Sequence, residues 1–446
     1  MKLDPRVELT NEKIVEIKEF FDGPTRNACL AALEDVITSK KSKGGIIKVY
    51  LENFKEFNDT FGYAAGGSLI KEIAFFLCQF YEADVYRLRG VELILILDDC
   101  SHATILDIAQ DIAERFEYSW KIGDIDCMCS ISVGMAYYPG HATTVDDMLE
   151  NLSHAIYEGT KIGPNQIVLY NEDLKLRLYR RHTIANSIPQ LLEQGRLEIR
   201  FRPILNISTG RFISAECSLR LFTEEFGIIN ASEFVPIAEE TGQISAITRY
   251  LIQNACKTIS NLLWAGLEFE YIIVPVSPIQ FLQEPFVQEV ADMVGRSGIP
   301  PQYLCFQIAE SMMISSFSNV QLRMFDLSDI GIKLMLDDFG SGYSGVNHLL
   351  TLPVDIVKLD RLFVWQLETN PRSAPLINGL LSMAKEIGLE AVGDVETEHQ
   401  SKLLQEYGCD YQLGFFHTPI VTEAKLKEAF SKSASEIIFN RTPDGR

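Results

Sequence analysis

Residues 333–338, Lys-Leu-Met-Leu-Asp-Asp, form a short apolar run that ends in two adjacent carboxylates, Asp337 and Asp338. Polar residues also follow or close other apolar runs in the second half of the chain, at Glu216, Lys358 and Glu396. Further strand-like runs alternate with helical patterns such as 232–240 and 244–265. About seven or eight such units predict a closed α/β barrel, whose active site is built at the carboxyl ends of the strands.

The composition limits the classes of function. The chain has 446 residues and a formal net charge of −21, which indicates more than one domain and excludes a broad surface for nucleic acid or anionic membrane. The longest apolar runs, 91–97 and 271–276, are too short for membrane insertion, and the first 20 residues lack an apolar signal core, so a cytoplasmic protein is expected. The nine cysteines and seven histidines show no zinc-ligand spacing and are expected to be reduced packing or surface residues.

The first half has a different pattern. A strand begins at Gly45, a helix runs to Phe80, and the runs 85–88 and 91–97 form a hairpin around a turn at Gly90. Further helices and strands follow, which predicts an α+β domain. We predict an N-terminal helix or connector at 1–20, the α+β domain at 21–170, a linker helix at 171–185, and the barrel with a C-terminal tail at 186–446.

The run Phe54-Lys55-x-x-Asn58-Asp59, followed by Gly62, the hairpin turn and Ser132-Val133-Gly134, resembles the GGDEF domain of diguanylate cyclases. The resemblance implies a nucleotidyl-cyclase-like fold that condenses GTP to cyclic di-GMP on carboxylate-held Mg²⁺. Asn58 and Asp59 are interpreted as a structural turn rather than as nucleotide contacts. The positions where the family has acidic residues are degenerate here, which predicts no cyclase activity: Tyr50, Gly67 and Val91.

The second half resembles the EAL domain of cyclic di-GMP phosphodiesterases. The resemblance rests on residues 234–244, 276–281 and 336–344, on Leu352-Pro353-x-Asp355-x-x-Lys358-x-Asp360, and on Val395-Glu396-Thr397. It implies a TIM-like β/α barrel in which two metal ions activate a water that attacks a phosphodiester. The residues that match the catalytic set of the family are Glu216, Asp337, Asp338, Lys358 and Glu396.

Other positions depart from the EAL pattern. Pro275 replaces an Asn metal ligand, and Gln307 and Gly393 replace two Glu ligands. Asp394, one residue beyond Gly393, is expected to point elsewhere, and a one-residue shift could bring Gln412 to the place of a late glutamine. We therefore expect a degenerate, non-catalytic domain with no Mg²⁺ or other cofactor. The degenerate positions are Ser218, Pro275, Gln307, Gly393 and Leu413.

Two arginines set the prediction for ligand binding. Arg220 matches a family arginine that meets a phosphate, and Arg202 replaces a ligand-contacting Gln and adds a second cation to the same mouth. Glu239 and Asp360 complete the candidate ligand contacts. The alternative for Arg202, which we favour, is a salt bridge to Glu216 or Asp337.

Two functions are expected for a chain in which both the GGDEF-like and the EAL-like domain are degenerate. The first is a regulatory or scaffolding protein that acts on protein partners in bacterial cyclic di-GMP signalling. The second is a cyclic di-GMP receptor that binds the dinucleotide in the barrel without hydrolysis, and residual phosphodiesterase activity is a weaker third. Related barrels often pair through the face near residues 337–344, which leaves a homodimer open.

Overall fold

The computed structural model describes residues 25–38, 43–81, 83–341 and 349–436. The helix predicted at 1–20 and the end of the predicted C-terminal tail lie outside the described residues, as do residues 342–344 of the 337–344 segment considered for pairing of two copies. The chain divides into two compact units, Met1–Arg180 and Arg181–Arg446. The helix that crosses this boundary continues beyond the linker predicted at 171–185, because it covers Glu172–Glu193.

The first unit is built on a five-stranded sheet in the order β2-β3-β1-β6-β7. The central strand β1 is antiparallel to β3 and β6, and its side chains alternate between two apolar cores, with Ile47 and Val49 in one and Ile46 in the other. The strands are β1 (Gly44–Leu51), β2 (Asp84–Arg89), β3 (Glu92–Asp98), β6 (Ile131–Tyr138) and β7 (Gln166–Leu169), with a separate hairpin of β4 (Trp120–Ile122) and β5 (Ile125–Cys127).

In the described residues, five helices accompany this sheet, which confirms the α+β prediction for the domain. The prediction of a turn at Asn58 and Asp59 is wrong, since both residues lie inside α2; this helix carries Phe54, Phe57 and Phe61 at intervals of three and four residues, so its aromatic side chains share one face. The helices in the described part of this unit are α1 (Thr25–Thr38), α2 (Phe54–Phe61), α3 (Tyr63–Tyr81), α4 (His102–Arg115) and α5 (Val145–Ile162), followed by α6 (Glu172–Glu193) at the unit boundary.

The second unit is an eight-stranded barrel, as predicted. Its strands follow the order β9-β11-β12-β13-β14-β15-β16-β8, β8 closes the ring by pairing with β9, and β10 extends the sheet on the other side of β9. The sequence analysis missed β10 and β16, both of which are very short. The strands are β8 (Leu197–Asn206), β9 (Arg211–Thr223), β10 (Gly227–Asn230), β11 (Tyr271–Pro275), β12 (Leu304–Ala309), β13 (Lys333–Phe339), β14 (Ile356–Leu359), β15 (Glu390–Asp394) and β16 (Tyr411–Leu413).

Helices surround the barrel, and the two predicted at 232–240 and 244–265 are confirmed to within a residue. In the part of the chain that the structure describes, no helix combines the length and apolarity needed to cross a membrane. The helices are α7 (Ala231–Glu240), α8 (Ile244–Trp264), α9 (Pro278–Phe281), α10 (Phe286–Ser297), α11 (Met312–Ile330), α12 (Arg361–Trp365), α13 (Ser373–Glu386), α14 (Glu398–Glu406) and α15 (Glu423–Ser431).

The inside of the barrel is filled by an apolar plug that fixes where the polar side chains lie. Because side chains alternate along a strand, the residue two positions beyond a plug residue also faces inward. Met335 is thus followed by Asp337, Ile356 by Lys358, and Val392 by Asp394. The plug consists of Ile204, Tyr271, Ile273, Cys305, Met335, Ile356, Val392, Tyr411 and Leu413, all of them buried.

Candidate functional site

A layer of polar side chains lies on the apolar plug at the carboxyl ends of the parallel strands. Its members come from six strands, and hydrogen bonds or ion pairs join them into one network. This is the position at which β/α barrels build their active sites. We call it the polar layer, and it consists of Arg202, Glu216, Gln307, Asp337, Lys358 and Asp394.

Arg202 bridges two carboxylates of the polar layer. It stands directly opposite Glu216 in the antiparallel β8–β9 ladder, and its Nη1 lies 3.3 Å from Glu216 Oε1. Its Nη2 donates a 2.7 Å hydrogen bond to Asp394 Oδ2 on β15. The salt bridge predicted between Arg202 and Glu216 is confirmed, while its second partner is Asp394 rather than Asp337.

Lys358 joins Glu216 to the next carboxylate. Its Nζ donates a 2.6 Å hydrogen bond to Glu216 Oε2 and lies 3.6 Å from Asp337 Oδ1. The amide nitrogen of Gln307 donates to the other carboxylate oxygen of Asp337. Three carboxylates are therefore held by two fixed cations and one amide.

These contacts control the ionisation of Glu216. Burial opposes the charged form, but Lys358 and Arg202 outweigh it and lower the pKa of Glu216 from 4.5 to about 2. Burial likewise opposes the charged form of Lys358, and Glu216 and Asp337 outweigh it, so that its pKa rises to about 12. Both groups are charged at neutral pH.

This arrangement predicts acid sensitivity of the barrel. The pKa of Glu216 is lower in the folded state, so its contribution is complete above pH 4.5 and is lost as the pH falls towards 2. The shift corresponds to about 3 kcal/mol of unfolding free energy. Urea titrations of the full chain between pH 7 and pH 3 measure it, and Glu216→Gln is expected to give a shallower loss of stability with falling pH. Equal pH slopes for the two proteins would contradict the assignment.

Asp394 is an inward-facing residue, so the expectation that it points elsewhere is wrong. Its side chain is buried and bonded to Arg202, and Arg361 Nε lies 3.9 Å from it. The neighbouring Gly393 faces outward, because a Cβ atom at this residue would lie 2.3 Å from Leu404 Cδ1 on α14. The carboxylate that β15 contributes to the polar layer is thus Asp394. Strict alternation of side chains from the apolar Val392 was the signal that could have found it.

The one-residue shift considered for Gln412 does not bring it to the site. Gln412 Oε1 accepts a 2.6 Å hydrogen bond from Ser401 Oγ, and its Nε2 donates to the Ser401 carbonyl at 2.8 Å, so this side chain faces α14. Leu413 faces inward as part of the plug. Pro275 ends β11 opposite Gln307 and supplies no side-chain oxygen to the layer.

The other candidate residues lie around the polar layer and have their own partners. Glu239 accepts a 2.5 Å hydrogen bond from Ser277 Oγ, and Asp360 caps α12 by accepting from the Phe363 backbone N–H at 2.9 Å. Glu396 is exposed and accepts a 2.5 Å bond from Arg361.

Asp338 is the exposed member of the acidic pair, and it has the left-handed φ of 55°. Desolvation and the nearby Asp337 and Asp360 carboxylates raise its pKa to about 6. At neutral pH the Asp338 carboxylate is therefore mostly ionised. It lies next to the polar layer, whose carboxylates are paired with Arg202 or Lys358.

Arg220 is separated from Arg202. In the β8–β9 ladder it faces Glu198, four positions from the Arg202–Glu216 pair, which is about 13 Å along the strands. Arg202 is bonded to Glu216 and Asp394, so the two arginines do not form the single cationic mouth that the sequence suggested. Ser218 lies between them, opposite Arg200, a further cation on this face that the sequence analysis did not identify.

The polar layer does not fit a pair of divalent metal ions. Such ions need carboxylate oxygens that are directed at them and free of competing cations. Here both oxygens of Glu216 and one oxygen each of Asp337 and Asp394 accept from side-chain N–H groups, and Arg202 or Lys358 is paired with each of the three carboxylates. Within residues 25–38, 43–81, 83–341 and 349–436, no group of three or more His, Cys, Asp and Glu could hold a metal.

The positions of the first unit that the sequence analysis predicted to be degenerate lie among glutamates with protein partners of their own. Tyr50 stands beside Glu92 in the β1–β3 ladder, and Glu92 is paired with the buried Lys48 at 3.2 Å. Val91 lies at the turn of the hairpin, and Gly67 is exposed on α3. The Glu52 carboxylate accepts hydrogen bonds from the hydroxyls of Ser130 and Ser132 at 3.0 and 2.6 Å. Each remaining glutamate is thus bound by the protein itself.

The structure thus defines a two-domain protein, in which an α+β domain is followed by a β/α barrel with a carboxylate-rich mouth. The family model of the diguanylate cyclase GGDEF domain matches residues 25–166, and that of the EAL domain matches residues 185–419. The chain therefore belongs to the EAL domain family and carries a GGDEF domain ahead of its EAL domain.

Curated relatives and solved structures agree with this assignment. The chain is 27% identical to the signaling protein YkoW of Bacillus subtilis, over 93% of this chain and 53% of that protein. It is 27% identical to the bifunctional diguanylate cyclase/cyclic di-GMP phosphodiesterase MucR of Pseudomonas aeruginosa, over 82% of this chain and 54% of that protein. It thus spans about half the length of these relatives. The structure of the PaMucR phosphodiesterase in complex with c-di-GMP has 28% identity and a TM-score of 0.53, and covers 55% of this chain and 99% of that one.

Proposed function

We propose that this protein is a non-catalytic member of a cyclic di-GMP signalling system, and that it acts through contacts with partner proteins. The observation that carries the proposal is the pairing of Arg202 and Lys358 with the three carboxylates of the polar layer. Lys358 matches a lysine of the family, so the departure is Arg202, a second cation that binds Glu216 and Asp394 in a site where the family holds metal ions.

A tethered cation cannot replace a metal ion in phosphodiester hydrolysis. The metals of such a site bind and activate the attacking water and stabilise the leaving oxygen. Arg202 has no basic group to activate water, because its hydrogen-bond partners, Glu216 and Asp394, raise the pKa of its guanidinium further despite its burial. Its displacement by a metal would leave a buried guanidinium without its partners, which costs several kcal/mol.

The first unit supports the same proposal. A cyclase needs acidic ligands free to bind Mg²⁺ and the phosphates of GTP. Glu92 is engaged with Lys48, and Glu52 with two serine hydroxyls. In the described residues, Glu92 and the carboxylates of the polar layer thus share their charge with Lys48, Arg202 or Lys358, and the positions of Tyr50, Val91 and Pro275 supply no carboxylate or amide oxygen.

A receptor for cyclic di-GMP is the second candidate. It is favoured by Arg220, for which the described residues provide no hydrogen bond or ion pair, and by the c-di-GMP complex of the similar PaMucR barrel. Against it stands the loss of Arg202 as a free cation, because that guanidinium is bonded to Glu216 and Asp394.

Calorimetric titration of the full chain with cyclic di-GMP, with and without Mg²⁺, decides between the two candidates. We expect no binding heat up to high micromolar ligand in either buffer. Micromolar binding that Arg220→Ala abolishes and Arg249→Ala retains would replace the partner-protein function with the receptor function. Arg249 is the matched control, because it forms a half-exposed ion pair with Glu289 at 3.1 Å on the outer helices.

A further inference from the structure

Three strands, β8, β9 and β10, extend the barrel wall and carry one open face. In this extension Arg220 lies between Glu198 on β8 and Asn230 on β10, and Phe222 pairs with Ile228 in the next row. The opposite face is closed, since its side chains belong to the core of the barrel domain: Leu197, Leu221 and Ile229. The open face is therefore held on a rigid support.

A cleft of about 660 Å³ lies along this extension. Its volume falls within the usual range for ligand-binding clefts. Its polar lining comes from Arg196, Glu198, Arg220 and Glu224, and its apolar lining includes Phe222 and Ile228. We call it the β10 cleft.

The charges of the β10 cleft leave one cation without a partner. Arg196 lies 3.9 Å from Glu224, and Arg200, next to the cleft, lies 2.5 Å from Glu198. Arg220 has no ion pair with any residue that the structure describes, and its Nε is buried without a hydrogen-bond partner. The cleft together with the neighbouring Arg200 thus has three arginines and two glutamates, and Arg220 is the arginine left without a carboxylate, which favours a ligand with a single carboxylate at this point.

Apolar side chains stand next to this cation. Phe222 is 52% exposed and Ile228 is 58% exposed, and the two form a cross-strand pair. Large apolar side chains that share an open face are typical of contact sites for other proteins. They lie one row beyond Arg220, at the spacing of alternate side chains in an extended peptide.

The β10 strand is also the edge of its sheet. An edge strand presents N–H and C=O groups that can pair with an added strand. An extended peptide paired with residues 227–230 would lie next to Ile228 and Asn230, and Arg220 and Phe222 on β9 would be one strand further in, within reach of its long side chains.

We infer that the β10 cleft binds an extended peptide segment of a partner protein, with one acidic side chain on Arg220 and an adjacent apolar side chain on Phe222 and Ile228. The inference rests on the proposed function and names its contact surface. A cyclic dinucleotide fits this cleft less well, because its two phosphates would meet a single free guanidinium, whereas one peptide carboxylate needs only one.

The test selects peptides from a random phage-displayed library on the full chain and measures their affinity by fluorescence anisotropy. The selected peptides are expected to share an Asp or Glu beside an aliphatic or aromatic residue. Arg220→Gln and Ile228→Ser should each weaken binding by about tenfold or more. The matched control is Ile279→Ser, since Ile279 is 47% exposed on α9 and does not line the cleft; it should leave affinity unchanged.

Three results would overturn the inference. If the selected peptides bind Arg220→Gln and Ile228→Ser as tightly as the unaltered chain, they bind to another surface, and the partner-protein function is not contradicted. Failure to enrich any peptide would remove the cleft as a peptide site. Displacement of the peptides by micromolar cyclic di-GMP, with nucleotide binding lost in Arg220→Gln, would make the cleft a nucleotide site and overturn the proposed function as well.

Discussion

Replacing Arg202 with methionine is expected to lower the free energy of unfolding by about 3–5 kcal/mol, because removal of one partner from a buried ionic network leaves its carboxylates uncompensated. Glu216 is 8% exposed and Asp394 is 2% exposed, so water cannot take the place of the guanidinium. Equilibrium unfolding in urea, followed at pH 7 for the barrel transition, measures the loss.

Two variants make this result specific. Arg249→Ala removes an ion pair whose side chains are 47% and 32% exposed and should cost less than about 1 kcal/mol. The triple variant Arg202→Met/Glu216→Gln/Asp394→Asn removes the stranded charges and should recover part of the stability. A cost for Arg202→Met no larger than that of Arg249→Ala would show that Arg202 does not neutralise the layer.

The variant Arg202→Gln/Pro275→Asn/Gln307→Glu is expected to gain binding of divalent metal. Arg202→Gln removes the guanidinium, and Pro275→Asn and Gln307→Glu supply oxygen ligands on the neighbouring strands β11 and β12. Asp394 already faces inward. Mn²⁺ at a hundred times its dissociation constant should then raise the unfolding free energy by about 2.7 kcal/mol. Thermal unfolding with and without Mn²⁺ measures the gain.

The matched control is Pro275→Asn/Gln307→Glu with Arg202 retained. It adds the same ligands but keeps the tethered cation, so Mn²⁺ should stabilise it much less than the triple variant. Equal stabilisation of the two variants would mean that Arg202 does not exclude the metal. Stabilisation of the unaltered chain by Mn²⁺ would mean that the site is not closed to metals at all.

The architecture could be predicted because the strands and helices of each domain follow one another in an order that the hydrophobic pattern of the sequence indicates. Apolar runs followed by Asp337 or Lys358 gave the barrel, and the hairpin around Gly90 with its flanking helices gave the α+β domain. The salt bridge of Arg202 to Glu216 could also be predicted. Arg202 replaces a neutral Gln of the family next to Glu216 and Asp337, so a carboxylate partner was close at hand. The short β10 and β16 strands carried too few residues for a pattern to appear.

Only part of the site could be predicted from the sequence. Alternation along β15 from Val392 would have placed Asp394 inward and Gly393 outward, but the pairing register of the strands could not be predicted. The separation of Arg220 from Arg202 follows from the antiparallel β8–β9 register, which no local sequence pattern specifies.

The central claim is that Arg202 adds a second cation beside Lys358 on the site carboxylates and so excludes metals, which leaves the barrel without phosphodiesterase activity. The most direct test is to incubate the full chain with cyclic di-GMP and Mg²⁺ or Mn²⁺ and to quantify linear product by chromatography. We predict no product above that formed by Glu216→Gln, which removes the carboxylate shared by both cations. Metal-dependent product from the unaltered chain that Glu216→Gln abolishes would contradict the account.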